Sequence, residues 1–331
     1  MKQIIPSAIA AAFLCTTAFA DQGFQLANQN PLTAIHGLPK QLSADKFLKP
    51  GHHSVSISLD ASSHFIKKQS GDDSLLIDGE TLTAEISVEF ALSETFHWGV
   101  RIPYVYHSGG FLDSSVDAWH EFTGLPDGGR TTEPTGQLNY LYVKDGVTAY
   151  QLNQDENSAG DITAFAHWLQ SPGESWQLGY NAQFKAPTGK ASSLSGSEAS
   201  ALALWADLAT TEKAGKRLHH NFAGGVSFHD RGDILSQQQR NIVPFFSYTG
   251  AWRWSDTTTF KGQIYGHGAV WNDSEINAFT QEALQGAVGI NWDYSNQGGY
   301  EYELALVEDL LVRTAPDVSL IFTITQRVKT K

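Results

Sequence analysis

Residues 81–107 read TLTAEISVEFALSETFHWGVRIPYVYH. Leu82, Ala84, Ile86, Val88, Phe90 and Leu92 alternate with Thr81, Thr83, Glu85, Ser87 and Glu89. After a short turn at Ser93-Glu94, Phe96, Trp98, Val100, Ile102, Tyr104 and Tyr106 alternate with His97, Gly99, Arg101 and His107. Successive side chains of a strand point to opposite faces, so each segment has one apolar face and one polar face. Strands of soluble proteins run to about five or six residues. A tilted strand that crosses a bilayer needs about 9–11. This pair has the longer format, and it predicts two neighbouring staves of a transmembrane barrel.

Outward from this hairpin the same alternation recurs. It appears on the N-terminal side in Val55, Ile57, Leu59 and Ala61. On the C-terminal side it marks segments near 160–170, 174–186, 200–212, 217–229, 242–254, 257–269, 282–294, 299–309 and 317–328. Together they predict an all-β, antiparallel up-and-down transmembrane β-barrel of about twelve strands. A further hairpin at 138–152, turning on Lys144-Asp145-Gly146, is assigned to a loop.

Connections alternate between tight turns and longer excursions. Ser93-Glu94, Ser171-Pro172-Gly173, Lys213–Lys216, Ser255-Asp256 and the stretch about Asn296 are tight; 67–78, 108–159, 187–199, 230–241, 270–281 and 310–316 are long. Outer-membrane barrels have short periplasmic turns and long external loops, and this register puts every long connection on one side. Aromatics also gather near the ends of the apolar stripes: Trp98 with Tyr104 and Tyr106, Trp252 with Trp254, Trp292 with Tyr294, Tyr300 with Tyr302. Interfacial girdles are built this way.

The N-terminus predicts export. Lys2, an apolar run from Ile4 to Leu14 and Ala18-Phe19-Ala20 fit a signal peptide over residues 1–20. Residues 21–331 then form a single outer-membrane barrel domain, with 21–52 as a periplasmic entry segment. Cys15 is the only cysteine, so cleavage leaves neither disulfide nor thiolate chemistry. Removing Lys2 leaves 21 basic against 35 acidic side chains, a net charge of −14. Such a surface repels nucleic acid. The expected partners are outer-membrane lipid, the barrel-insertion machinery and a small solute. No cofactor is expected.

The longest loop carries HSGGFLDSSVDAWHEFTGLPDGGR, residues 107–130. Asp113 can cap a short helix, Val116, Trp119 and Phe122 recur at helical spacing, and Gly124 ends it. Its apolar side (Phe111, Leu112, Val116, Trp119, Phe122) is expected to rest on the barrel mouth and constrict it. Asp113, Asp117, His120 and Glu121 form an acidic stripe, with Arg130 beyond it. The stripe reads as a solvated face, a hard-cation site or an Asp117–His120 pair for surface hydrolysis.

On the polar strand faces lie Glu85, Glu89, Arg101, Lys185, Arg253, Lys261, Asp293, Glu301, Glu303 and Arg327. In a barrel they face the lumen. Glu85 and Glu89 are placed to pair with Arg101, and Glu301 and Glu303 with Arg327, as a structural network or a charge filter.

Asn28-Gln29-Asn30-Pro31-Leu32, Ile77-Asp78-Gly79-Glu80-Thr81, Pro103-Tyr104-Val105, Ser108–Asp113, His120 and Leu125–Arg130 resemble a family of exported proteobacterial proteins classed as a domain of unknown function. The resemblance spans nearly the whole mature chain and implies a barrel in the cell envelope, without an established activity. Phe184-Lys185-Ala186-Pro187-Thr188-Gly189 is similar to a strand-end motif of outer-membrane barrels associated with aromatic-compound degradation. The chain ends Val328-Lys329-Thr330-Lys331, not on the aromatic residue that barrel-insertion machinery reads.

The leading expectation is a pore or passive transporter for a small solute, with loop 108–159 as constriction. The alternatives are an outer-membrane hydrolase, a structural envelope protein with a plugged barrel, and a soluble periplasmic β protein. Nothing in the sequence demands an enzyme: there is no nucleophile elbow and no phosphate loop.

Overall fold

The computed structural model describes residues 23–40, 48, 50–124, 129–130, 133–172, 175–211, 217–294, 299–311 and 313–329. The expected signal peptide, residues 1–20, lies outside them. Twelve antiparallel strands form a closed wall: β1 (His52–Ser70), β2 (Asp73–Ala91), β3 (Phe96–Ser108), β7 (Thr163–Pro172), β8 (Trp176–Lys185), β9 (Ala201–Thr210), β10 (Leu218–His229), β11 (Ile242–Arg253), β12 (Thr258–His267), β13 (Ala283–Asp293), β14 (Tyr300–Asp309) and β15 (Val318–Lys329). β1 closes the ring on β15 from His52 opposite Lys329 to Ser63 opposite Val318. Ser56, Ser58 and Ser62 stitch that seam through hydroxyl bonds to Thr325, Thr323 and Ser319. The outward stripe is the predicted one, with Ile57, Leu82, Ile86, Trp98, Ile102, Phe222, Trp252 and Leu320 all exposed. Apolar side chains turned outward around a closed ring are what a lipid environment requires.

One connection differs from the expectation. Residues 67–78 are not a loop, because β1 and β2 each run for 19 residues and meet in a turn at Gly71-Asp72. A crossing uses about 9–11 residues. The rest, at roughly 3.3 Å per residue, carries the hairpin some 25 Å beyond the apolar belt. There β4 (Asn139–Lys144) pairs with the upper part of β2, taking the place vacated where β3 ends, and β5 (Val147–Leu152) pairs with β4. β6 (Glu156–Ala159) pairs with the upper end of β3. The hairpin predicted at 138–152 therefore raises the wall rather than hanging free.

A second correction concerns the entry segment. Residues 23–40 are not periplasmic; they run inside the barrel. Phe24 is fully buried, and its N–H donates to Gln263 Oε1 on β12 at 2.6 Å. The chain climbs to Asn28, whose Nδ2 donates to the Thr314 carbonyl at 2.7 Å, and turns through the single-turn helix α1 (Pro31–Ala34). It then descends past Gln183, which donates to the Gly37 carbonyl at 3.0 Å. Leu48 lies lower still, where its carbonyl meets His97 Nε2 at 3.0 Å.

The segment has apolar seats at two heights. Phe24 and Leu26 pack on Tyr265, Ala287, Ala305, Val307 and Ile321, an apolar patch on the inward faces of β12–β15. Gly289 leaves room for the Phe24 ring, since a Cβ there would meet it at 2.8 Å. At the mouth, Leu32, Ile35 and Leu38 join Leu75, Ile77, Tyr140, Tyr142, Trp271 and Phe279 in one buried cluster. Tyr142 stacks on Phe279 at 4.7 Å and His36 meets Trp271 at 4.6 Å. α3 (Asn277–Thr280) contributes Phe279. Burying a large apolar side chain is worth about 1.5–3 kcal/mol, so this cluster closes the mouth firmly.

Candidate functional site

Two polar chambers remain within the wall. The lower one, at the tight-turn end, carries Glu85, Glu89, Glu301 and Glu303 against Arg101, Lys261 and Arg327. A hydroxyl floor of Ser54, Ser56, Ser58, Ser87, Thr323 and Thr325 surrounds them. The upper chamber lies between the N-terminal segment and β2, β3, β7 and β8. Glu85 and Arg101 line both. They stand at the waist of the lumen.

The predicted lumen residues do face inward, but their partners differ in part from the expected ones. Glu85 accepts from Lys40 Nζ at 2.9 Å and lies 4.0 Å from Arg101 Nε. Arg101 donates to Gln183 Oε1 at 3.2 Å and to Gln25 Oε1 at 3.4 Å, with its guanidinium 4.3 Å from the Phe165 ring centre. Glu89 bonds His97 Nδ1 at 2.9 Å rather than Arg101. Arg327 donates to Glu301 at 2.5 Å and lies 3.7 Å from Asp293, as the strand pairing implies. Glu303 instead receives Lys261 Nζ at 2.7 Å, and that ammonium sits 5.4 Å over the Phe24 ring. Lys185 ties back the loop after β8 through Asp161, Ser197 and the Ala199 carbonyl. Arg253 lies on the inward parity at the turn end of β11, three strands from Glu301. Lys40 and Gln25 are the functional residues that strand reading missed, because they belong to a segment without periodicity.

The loop helix α2 (Asp113–Thr123) forms, and Gly124 ends it at φ +73°. Its placement is not that of the expected constriction. It lies on the outer side of the wall, above the apolar belt. Glu80 on β2 shares the outward parity of Leu82 and Ile86, and its carboxylate accepts the N–H groups of Phe111 and Leu112. Glu308 on β14 shares the parity of Leu304 and Leu306 and accepts Trp119 Nε1 at 2.5 Å. Arg130 donates to Ser63 Oγ at 2.8 Å, to Asp113 at 2.6 Å and to Asp317 at 3.0 Å. Ser63 too is outward on β1.

Asp113 therefore does not cap its own helix. It is the first helical residue, and its carboxylate is taken by Arg130 and the Gly136 N–H. Val116 and His120 are the buried side of α2, whereas Phe111 and Phe122 are 80% and 84% exposed. The expectation that all five apolar side chains would be covered fails at these two. Asp117 does not hydrogen-bond His120, and Glu121 is exposed. Among the described residues, no group of three or more His, Cys, Asp or Glu is arranged to hold a metal ion.

A family model described as a protein of unknown function, DUF3187, matches residues 1–328. The chain belongs to this family. The barrel of this DUF3187 chain is similar to the COG4313 outer membrane channel from Pseudomonas putida F1, with a TM-score of 0.57 and 13% identity over 85% of this chain and 97% of that one. More distant likenesses include the NanC porin (TM-score 0.47, 8% identity, 83% and 100% covered) and the CymD monoaromatic hydrocarbon channel (TM-score 0.36, 11% identity, 92% and 94% covered). At these identities the likeness to the first concerns the fold, and the other two add nothing to it. No curated protein matches the chain.

Proposed function

We propose that this DUF3187 chain is a plugged pore of the Gram-negative outer membrane that admits a small polar solute when residues 23–40 move. On this reading residues 1–20 are cleaved on export, the tight turns face the periplasm and the raised hairpins face outside. The barrel-insertion machinery and outer-membrane lipid are its partners.

One observation carries the reading. The lumen is not packed solid with apolar side chains, as a purely structural barrel core would be. It holds two polar chambers that meet at Glu85 and Arg101, and the N-terminal segment, a part separate from the wall, lines both. Rings of charged side chains are how pores select solutes. Four carboxylates and three cations on a hydroxyl floor favour a polar solute with several hydrogen-bonding groups over an apolar one. α2 sits outside the wall and does not narrow the lumen.

Conductance in a planar bilayer tests it. Wild-type protein is expected to pass little current, and a variant lacking residues 23–40 severalfold more, both remaining heat-modifiable on SDS gels. A folded barrel that stays non-conducting after the deletion overturns the channel reading.

A further inference from the structure

The upper edge of the apolar belt is unevenly furnished with aromatics. On β3 it carries Tyr104 and Tyr106, on β8 Phe184 and on β10 Phe228, all outward by parity. On β14, β15, β1 and β2 the same level is occupied by Leu306, Leu320, Ala61 and Leu82, followed by Glu308, Val318, Ser63 and Glu80. A quarter of the rim or more thus lacks the rings that settle a barrel at the boundary between acyl chains and headgroups. Two carboxylates, moreover, stand there on the lipid-facing parity.

α2 is fastened over this gap. Its N-terminus is held by Glu80 on β2, its middle by Glu308 on β14 through Trp119, and its following loop by Ser63 on β1 and Asp317 at the start of β15 through Arg130. Both carboxylates are used as acceptors for the helix, so neither is presented bare to lipid. Phe111 shares an open crevice with Ala61, Leu82 and Tyr106, the top of the outward stripe. Phe122 stands near Trp119, with ring centres 6.3 Å apart. The two phenyl groups are the most exposed large apolar side chains among the described residues.

We infer that α2 is an interfacial collar: it supplies the missing sector of the outer aromatic girdle and seats Phe111 and Phe122 among the lipids of the outer leaflet. The occupant of this face is lipid because the face is continuous with the belt below it. Helices of this kind lie in the membrane plane with the apolar side about 5–10 Å into the headgroup–acyl boundary. The inference rests on the membrane-barrel reading but not on the barrel being a channel.

The mature chain has no cysteine, so single-cysteine variants can be labelled cleanly. Phe122→Cys, Ile86→Cys in the belt and Val147→Cys on the raised β5 each carry an environment-sensitive fluorophore. All three side chains are more than half exposed. The probe is a phosphatidylcholine vesicle with or without acyl chains brominated near the carbonyl. The label at 122 is expected to lose at least about half as much fluorescence as the one at 86, and the label at 147 none. Quenching at 86 but not at 122 overturns the collar alone. No quenching at either position overturns the membrane reading with it.

Discussion

Lys40 Nζ donates to Glu85 Oε2 across 2.9 Å, and both side chains are more than four-fifths buried. This pair joins the descending limb of the lumen segment to the waist of the wall, beside Arg101. Removing one partner of a buried pair costs about 3–5 kcal/mol, because the other charge is left uncompensated. Lys40→Glu goes further and sets two carboxylates face to face. The expected result is a barrel that still folds but opens more often in single-channel recordings. The double variant Lys40→Glu with Glu85→Lys restores the pair and should return the closed state. Equal open probability in all three proteins would show that the bridge does not hold the segment.

Faces of the wall differ sharply in what they tolerate. Ile86 is outward and 53% exposed, and Ser87 lines the lower chamber. Ile86→Arg places a cation at mid-membrane, at a cost of about 2–4 kcal/mol. It should abolish the heat-modifiable band on SDS gels. Ser87→Asn, one residue away, should leave that band intact.

Above the belt, two regions should respond to pH in opposite directions. Burial pushes the Asp317 carboxyl up from 3.8 to about 7 against the pull of Arg130, and pushes Asp78 up to about 6. A carboxyl raised by folding favours the folded state below its usual range, and that contribution is lost as pH rises through its folded value. The attachment of α2 is therefore expected to be firmest in acid and to weaken between about pH 4 and pH 7. At the mouth the sign reverses. Burial alone would raise Asp73 too, but the N–H groups of Asp145 and Glu275 and the Ser274 hydroxyl hold it below the usual value. Its contribution is present at neutral pH and lost on acidification. Hydrogen exchange at pH 4.5 and 7.5 should show residues 113–123 better protected at the lower pH, whereas residues 139–152 should keep their protection down to pH 4.5 and lose it only as the pH falls below 3.8. Asp317→Asn should flatten the first dependence and leave the second.

Sidedness is checked on intact cells. A protease-cleavable tag inserted after Asp72, at the tip of the raised hairpin, should be cut from outside. The same tag after Ser255, in the tight turn between β11 and β12, should survive until the cells are opened. Cleavage at Ser255 alone would invert the assigned orientation, and cleavage at both or neither would void it.

Much of this wall is legible in the sequence because a strand's two faces are written in alternate letters. Leu82-Thr83-Ala84-Glu85-Ile86 can be read in one way only once lipid is the outside solvent. The lumen segment is different. Residues 23–40 lack periodicity because their contacts are individual, with Gln263, Gln183, Glu85 and Trp271 far away in sequence. A signal did exist on the wall. Ala305-Leu306-Val307 and Leu320-Ile321-Phe322 are apolar on both faces, and an inward apolar face needs something to cover it. The placement of α2 had a signal as well. Helical spacing gives the buried side of a helix but not which side of a barrel it joins. Glu80 and Glu308 fall on the lipid-facing parity, where a bare carboxylate is costly, and their presence calls for donors brought from outside the wall.

The position of residues 23–40 also constrains how the molecule can be made. Phe24 bonds Gln263 and Asn28 bonds Thr314, partners separated by 239 and 286 residues, so the first part of the mature chain finds its seat only when the last strands exist. The seam between β1 and β15, with its three hydroxyl bonds, joins the first wall strand to the last, so it can close only once β15 is present. Either the segment waits in place while the ring shuts around it, or it threads in afterwards through the open lower end. The first order makes ring closure and occupancy a single event. It means that an empty ring need never exist at any stage of assembly.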